Sequence, residues 1–151
     1  MVKSKISDLG SRQIAVGPMN GEITIPCLGN GTAKPGEAVG ITDATGKCVG
    51  TDIGAIEMFR GFLDNDYKTA DDTAIPDGSS ASIIIPTSGH NYRTFCTNPI
   101  GAVVSGLSHA LSATAGSFVG ADNTSMNTAG SMCINSIPIG NGDTVMEISW
   151  L

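Results

Sequence analysis

From Ile23 to Trp150 the apolar residues fall in short runs rich in Val and Ile, and each run gives way to a turn signal. These breaks are Gly29-Asn30-Gly31, Lys34-Pro35-Gly36, Pro76-Asp77-Gly78, Ser88-Gly89 and Gly140-Asn141-Gly142-Asp143. Short β-branched runs at such spacing predict strands joined by tight turns, with Ile23-Thr24-Ile25 opening the first. Crossover helices of a dozen residues are missing from the pattern. The fold class predicted is therefore all-β, a small barrel or sandwich, rather than a series of βαβ units.

Two segments carry helical spacing. Val103, Val104, Leu107, Ala110 and Leu111 match it, but Gly106 interrupts the pattern at a cost of about 1 kcal/mol relative to Ala. Ser105, Ser108 and Ser112 add little helix drive, so Leu107–Leu111 is predicted as a strand. In Asp52–Phe59, Ile53 and Ile56 stand three apart, while Gly54 and Gly61 limit any helix to a turn or two. No helix longer than about two turns is expected.

The chain also echoes itself. Residues 36–49 lie on residues 106–119 without a gap: Gly36 on Gly106, Ile41 on Leu111, Thr42 on Ser112, Gly46 on Gly116, Cys48 on Phe118 and Val49 on Val119. Upstream, Ile23–Cys27 roughly matches Tyr92–Cys96. Downstream, Pro76–Gly78 before Ser82–Ile85 resembles Gly140–Gly142 before Thr144–Ile148. Either one hairpin-plus-strand unit is present twice, as two pseudo-repeats, or Gly-rich β sequences agree by chance.

Residues 1–20 differ from the rest. They are polar, broken by Gly10, Gly17 and Pro18, and carry scattered apolar positions with three of the chain's eight basic residues, Lys3, Lys5 and Arg12. The expectation is an extended N-terminal arm over residues 1–20, ordered only against a partner, ahead of a single β domain over residues 21–151. At 151 residues, with 40% apolar and 15% charged side chains, the chain is long enough to close a core.

The formal charge of −6 repels phosphate, and no Lys/Arg cluster offers an exception, so nucleic acid is not an expected partner. No signal-peptide h-region and no apolar run of membrane-spanning length is visible, so synthesis in a cytoplasm and no membrane partner are expected. Cys27, Cys48, Cys96 and Cys133 lack CxxC spacing and are expected as buried thiols rather than a disulfide framework.

Candidate chemistry is thin. His90 lies in a predicted turn, and His109 alternates with Leu107 and Leu111 on a strand, where partial burial and a hydrogen bond are expected. Neither belongs to a local ligand motif. Cys96 follows His90 by six residues, a spacing that could face them across a hairpin as a nucleophile pair. Asp64-Asn65-Asp66 resembles the start of a calcium loop, but the later glycine and the twelfth-position acid are missing, which leaves a solvated acidic loop with Asp71-Asp72. Gly29-Asn30-Gly31 and Gly140-Asn141-Gly142 do not lead into helices, so no phosphate cradle follows. The sequence predicts no enzyme, no metal and no cofactor.

The order of these parts resembles a known group. KPGEAVGIT with the return GKCVG, FRGFLDND with its acidic loop, IPDGSSASIIIP, a second unit VSGLSHALSATAGSFV, then AGSMCI and the closing IPIGNGDTVMEISWL look like the small capsid decoration, or head-stabilising, proteins of tailed phages and related archaeal viruses. Gly61-Phe62-Leu63 and Gly142-Asp143-Thr144-Val145 with Glu147 and Ile148 match the family's middle and final strand elements. The likeness covers roughly residues 30–151. It implies a β-rich knob, commonly trimeric, on the outer surface of an expanded virion capsid, with the major capsid protein and its own copies as partners. Under that resemblance Ile6, Leu9, Ile14 and Val16 of the arm, and Trp150 at the C-terminal edge, are the candidate capsid contacts. A glycan- or receptor-binding β-module of a viral fibre is the first competitor, disfavoured by a 5% aromatic content. A hydrolase with an unrecognised site is the second.

Overall fold

A computed structural model of the chain describes residues 1–17, 22–97, 102–120 and 130–151. Its strands are β1 (Ala15–Val16), β2 (Ile23–Leu28), β3 (Ala38–Ile41), β4 (Cys48–Gly50), β5 (Gly61–Leu63), β6 (Ser80–Ile85), β7 (Asn91–Cys96), β8 (Ser108–Leu111), β9 (Ser117–Gly120), β10 (Cys133–Asn135) and β11 (Val145–Trp150). The fold is all-β, as the alternation of runs and turns predicts. Helical structure among the described residues is confined to 3₁₀ turns at Ile6–Leu9 and Ile53–Met58. The second lies within the segment where a turn or two was expected, and β8 bears out the strand over Leu107–Leu111. Gly106 precedes it at φ +88°, with no heavy atom close enough to crowd a side chain. The glycine serves the backbone conformation there, not the space.

The strands form two sheets, and each closes on itself. The first runs β2-β6-β5-β3-β4, and β4 returns to β2 through a parallel bridge between Lys47 and Leu28, whose N–H donates to the Gly46 carbonyl at 3.0 Å. The second runs β7-β11-β10-β8-β9, and β9 returns to β7 in parallel, with Phe95 opposite Ser117 and Cys96 opposite Phe118. Numbered within each ring, the strands follow the same order: first, fifth, fourth, second, third. Closure satisfies edge groups that an open sheet would leave unpaired.

The backbone hydrogen bonds repeat as well. Gly36 N–H donates to Leu63 O, and Gly106 N–H to Asn135 O, both at 2.8 Å. Leu63 N–H donates to Glu37 O at 3.0 Å, and Asn135 N–H to Leu107 O at 3.2 Å. Arg60 N–H reaches Val39 O and Met132 N–H reaches His109 O, both at 2.9 Å. The gapless match of 36–49 with 106–119 is thus a structural repeat. The flanking matches slide. Ile25 pairs with Ile83 as Tyr92 pairs with Ile148, so Ile25 rather than Ile23 stands where Tyr92 does. A shift of two residues keeps every side chain on its face, so sequence similarity alone did not reveal it.

Alternation sorts the side chains of the first ring into two cores. Cys27, Val39, Cys48, Leu63 and Ile83 pack with Ala33 and Ile75 in one cluster. Their alternates Ala38, Phe62 and Ile84 belong to a larger cluster with Tyr92, Leu111, Phe118, Met146 and Ile148 of the second ring. Phe62 is its centre, stacked on Tyr92 at 5.2 Å and packed against Phe118 at 5.9 Å.

The expectation for residues 1–20 needs correction over its described part, residues 1–17. The segment combines the 3₁₀ turn at Ile6–Leu9 with the short strand β1, and it holds a place in the core: Ile6 is 4%, Ile14 0% and Ala15 1% exposed. Positions 18–20 lie outside the described residues. Three devices hold the segment. β1 pairs with β7, Ala15 opposite Tyr92. Arg93 N–H donates to Ile14 O at 2.7 Å, and its guanidinium donates to Gln13 O at 2.8 Å. Near the start, Lys3 N–H donates to Asp143 Oδ1 at 2.8 Å, while Thr144 N–H returns a bond to Lys3 O. Contacts to the first ring's acidic loop complete the strap, Ser7 Oγ to Asp71 and Arg12 to Asn65 and Thr69 O. Polarity misled because polar groups of the segment find partners on both rings, although the buried Arg12 Nε has none, and a few apolar side chains suffice as anchors.

Candidate interaction surface

The ionisable groups that drew attention in the sequence are occupied structurally. His90 Nδ1 lies 2.7 Å from Glu22 Oε1, and Tyr92 Oη donates to Glu22 Oε2 at 3.0 Å while accepting the Thr87 N–H. Cys96 is not beside His90: its thiol faces the Asp143 carbonyl at 3.7 Å, at the other end of β7. Burial pushes the Cys96 thiol up to about 12 and the Cys27 thiol to about 11. All four cysteines are buried and free, unreactive at neutral pH in such surroundings. In the acidic loop, Asp66 accepts Thr69 N–H and Oγ1–H, and Asp72 pairs with Lys34 at 2.9 Å. Burial holds the Asp64 and Glu37 carboxyls above the usual range.

The five candidate contacts are not brought together on one surface. Ile6 and Ile14 lie in the core and cannot meet a partner while the segment stays docked, which corrects their assignment as contacts. Leu9 is half-buried against the same core, Val16 is half-buried on β1, and Trp150 is half-buried at the seam of the rings. The Trp150 ring stacks on Phe59 at 5.6 Å and meets Phe62 edge-on at 5.8 Å. A second seam feature, a cleft of about 310 Å³, includes Glu37, Thr97 and Ser117. There Lys34 Nζ sits 4.9 Å from the centre of the Phe95 ring, covering a face that a sugar platform would leave open.

A feature that the sequence reading missed is the turn before β8. Val104 is 69% and Leu107 42% exposed, so two large apolar side chains stand in solvent around Gly106. Asn135, itself 0% exposed, holds this turn from below. Its Nδ2 donates to Val104 O at 2.8 Å and Ile137 O at 2.9 Å; its Oδ1 accepts Leu107 N–H at 3.0 Å and lies 3.1 Å from His109 Nε2. Both amide donors are committed to carbonyls, so the oxygen faces His109 and Nε2 must carry the proton. His109 is the buried, hydrogen-bonded histidine expected from its strand position. Burial lowers its pKa, partly opposed by the bond to Asn135. The signal for this turn was present in the internal match: extended two residues upstream it sets Lys34 opposite Val104, and within it Glu37 falls opposite Leu107.

The chain matches no protein family and no curated protein.

Proposed function

We propose that this chain is a structural protein of a virus particle that binds the outer surface of the capsid lattice as a homo-oligomer and stabilises the expanded head. The observation that carries this reading is the doubled, closed ring strapped by the chain's own N-terminal segment. Two rings with one strand order share a core through Phe62 and are tied again by residues 1–17. A body of that kind resists local opening, which suits a protein that must stay folded while attached to a shell under internal pressure. The family resemblance runs through the same elements. Gly142-Asp143-Thr144-Val145 forms the turn into β11, where Asp143 accepts the N–H groups of Gly140 and Lys3. Hydrogen bonds engage His90, His109, Glu22 and Arg93 in holding turns and the strap, a use that fits a binding body better than a hydrolase.

With Ile6 and Ile14 committed to the core, attachment falls to the ring surfaces rather than to a free arm. The test is co-sedimentation of the purified protein with assembled shells of its cognate major capsid protein, before and after expansion. Saturable retention on expanded shells is expected, with a rise in the temperature at which they break. Retention on neither form, or selective binding to immobilised glycans instead, would refute the reading.

A further inference from the structure

The two rings present the same turn with opposite chemistry. In the first, Lys34 pairs with Asp72, and the Glu37 carboxylate turns back to accept the Lys34 N–H. In the second, the equivalent positions are the exposed Val104 and Leu107. Charge divides the same way: residues 22–85 hold ten carboxylates against four basic side chains, and residues 86–151 hold three against one. Beneath the turns, Val39 and Leu63 of the first ring correspond to His109 and Asn135 of the second. That buried polar pair gives the second turn two extra side-chain bonds, to Val104 O and Leu107 N–H. The second ring thus spends a polar pair in its core to hold an apolar turn still.

We infer that the Val104–Leu107 turn is the surface through which copies of this chain associate. The occupant is a second copy for an electrostatic reason. A chain of net charge −6 repels its own kind, and most strongly through the acidic first ring. Of the two matched turns, the second ring's is where that repulsion is weaker and where large apolar side chains stand exposed. At a symmetry axis like surfaces meet, and an apolar turn is complementary to itself where a charged one is not. The Asn135 clamp fixes the turn beforehand, so association orders little that was loose. This deepens the homo-oligomer part of the proposed function and does not depend on the capsid.

The experiment is sedimentation velocity on the full chain over a wide concentration range, comparing wild type, Val104→Asp/Leu107→Asp and Ala44→Asp. Ala44→Asp adds charge at an exposed site on the first ring and controls for repulsion in general. Both substituted sites are exposed, and circular dichroism verifies folding. Wild type is expected to associate with rising concentration, with Ala44→Asp following it closely. The double variant should shift the midpoint at least about tenfold, the equivalent of about 1.4 kcal/mol. A wild type that stays monomeric throughout, or a double variant that associates like wild type, overturns the inference. A monomeric wild type whose capsid retention is abolished by the double substitution would assign the turn to the shell instead, overturning self-association while leaving the proposed function standing.

Discussion

The two rings share strand order, turn placement and backbone register, yet beneath their matched turns the interiors differ in polarity. Val39 and Leu63, each 0% exposed, pack as hydrocarbon in the first ring; at the same places in the second, His109 and Asn135 are 2% and 0% exposed and hydrogen-bonded. One architecture therefore tolerates either solution: Asn135 is paired at all four of its positions, while His109 is bonded through Nε2 and its buried Nδ1 has no partner. The difference lies in what each core supports. Hydrocarbon below the first turn leaves the charged Lys34 and Glu37 to settle among themselves, whereas the second turn is clamped from inside. The comparison shows that a closed β ring specifies shape, while the alternation beneath a turn decides how rigidly its surface side chains are presented.

Phe62→Ala breaks the comparison hardest, because Phe62 belongs to one ring and packs in the core of the other. A loss of about 3–5 kcal/mol is expected in urea unfolding. Calorimetry of the wild type should show one transition; two would mean that the rings unfold separately and that the shared core is not a cooperative unit.

Next come matched substitutions at one position of the repeat. Leu63→Ala should cost about 2–5 kcal/mol through a cavity in an apolar core. Asn135→Leu removes no volume to speak of, but strands the N–H groups of Leu107 and His109 and two carbonyls, at about 1–3 kcal/mol for each group left dry. If Asn135→Leu is neutral, the polar pair is not a clamp. Amide hydrogen exchange gives a finer readout: Leu107 should lose protection in Asn135→Leu and keep it in Leu63→Ala.

Acidification should separate the rings more gently. The folded pKa of His109 lies below its ordinary 6.5, so the unfolded chain takes the proton first as pH falls. Its contribution is full above about 6.5 and declines below it, toward the folded value, at up to about 1.4 kcal/mol per pH unit. Glu37 and Asp64 of the first ring are shifted upward by burial, so each favours the folded state as pH falls through its raised value, the opposite sign. Urea midpoints at about pH 7.5 and about pH 5.5 for wild type and His109→Gln isolate the histidine. The variant should be the less acid-sensitive of the two, and equal slopes would remove His109 from the account.

The smallest effect is expected at the half-exposed Lys47–Asp77 pair, 2.8 Å apart at the junction of β2 and β4. Lys47→Ala should change stability by no more than about 1 kcal/mol, since exposed ion pairs contribute little. A larger loss in thermal melts would mean that this side chain, and not the backbone bridge from Leu28, holds the first ring closed.

Much of this molecule was legible along the chain, and for local reasons. Short β-branched runs cut by glycine turns have one satisfactory solution, strands, and Gly106 inside a helical pattern decided β8 against a helix. The gapless match of 36–49 with 106–119 located the repeat because turns at Gly36, Gly46, Gly106 and Gly116 need a positive φ that other residues rarely adopt. His109 was legible as a buried, bonded residue from its place on a strand. Tertiary structure alone decided what those elements close upon. Ring closure joins β2 to β4 and β7 to β9 in parallel, contacts with no signature in local pattern because they depend on the twist and length of every strand between. The docking of Ile6 and Ile14 was equally hidden, since the pocket that takes them is built from Gly36 and strands far along the chain. Asn135 reads as an ordinary polar residue in sequence. It becomes a clamp because β10 places it beneath a turn more than two dozen residues earlier, with its four hydrogen-bonding positions matched. Local conformational preference is written residue by residue, whereas burial belongs to whichever distant segment arrives to cover it.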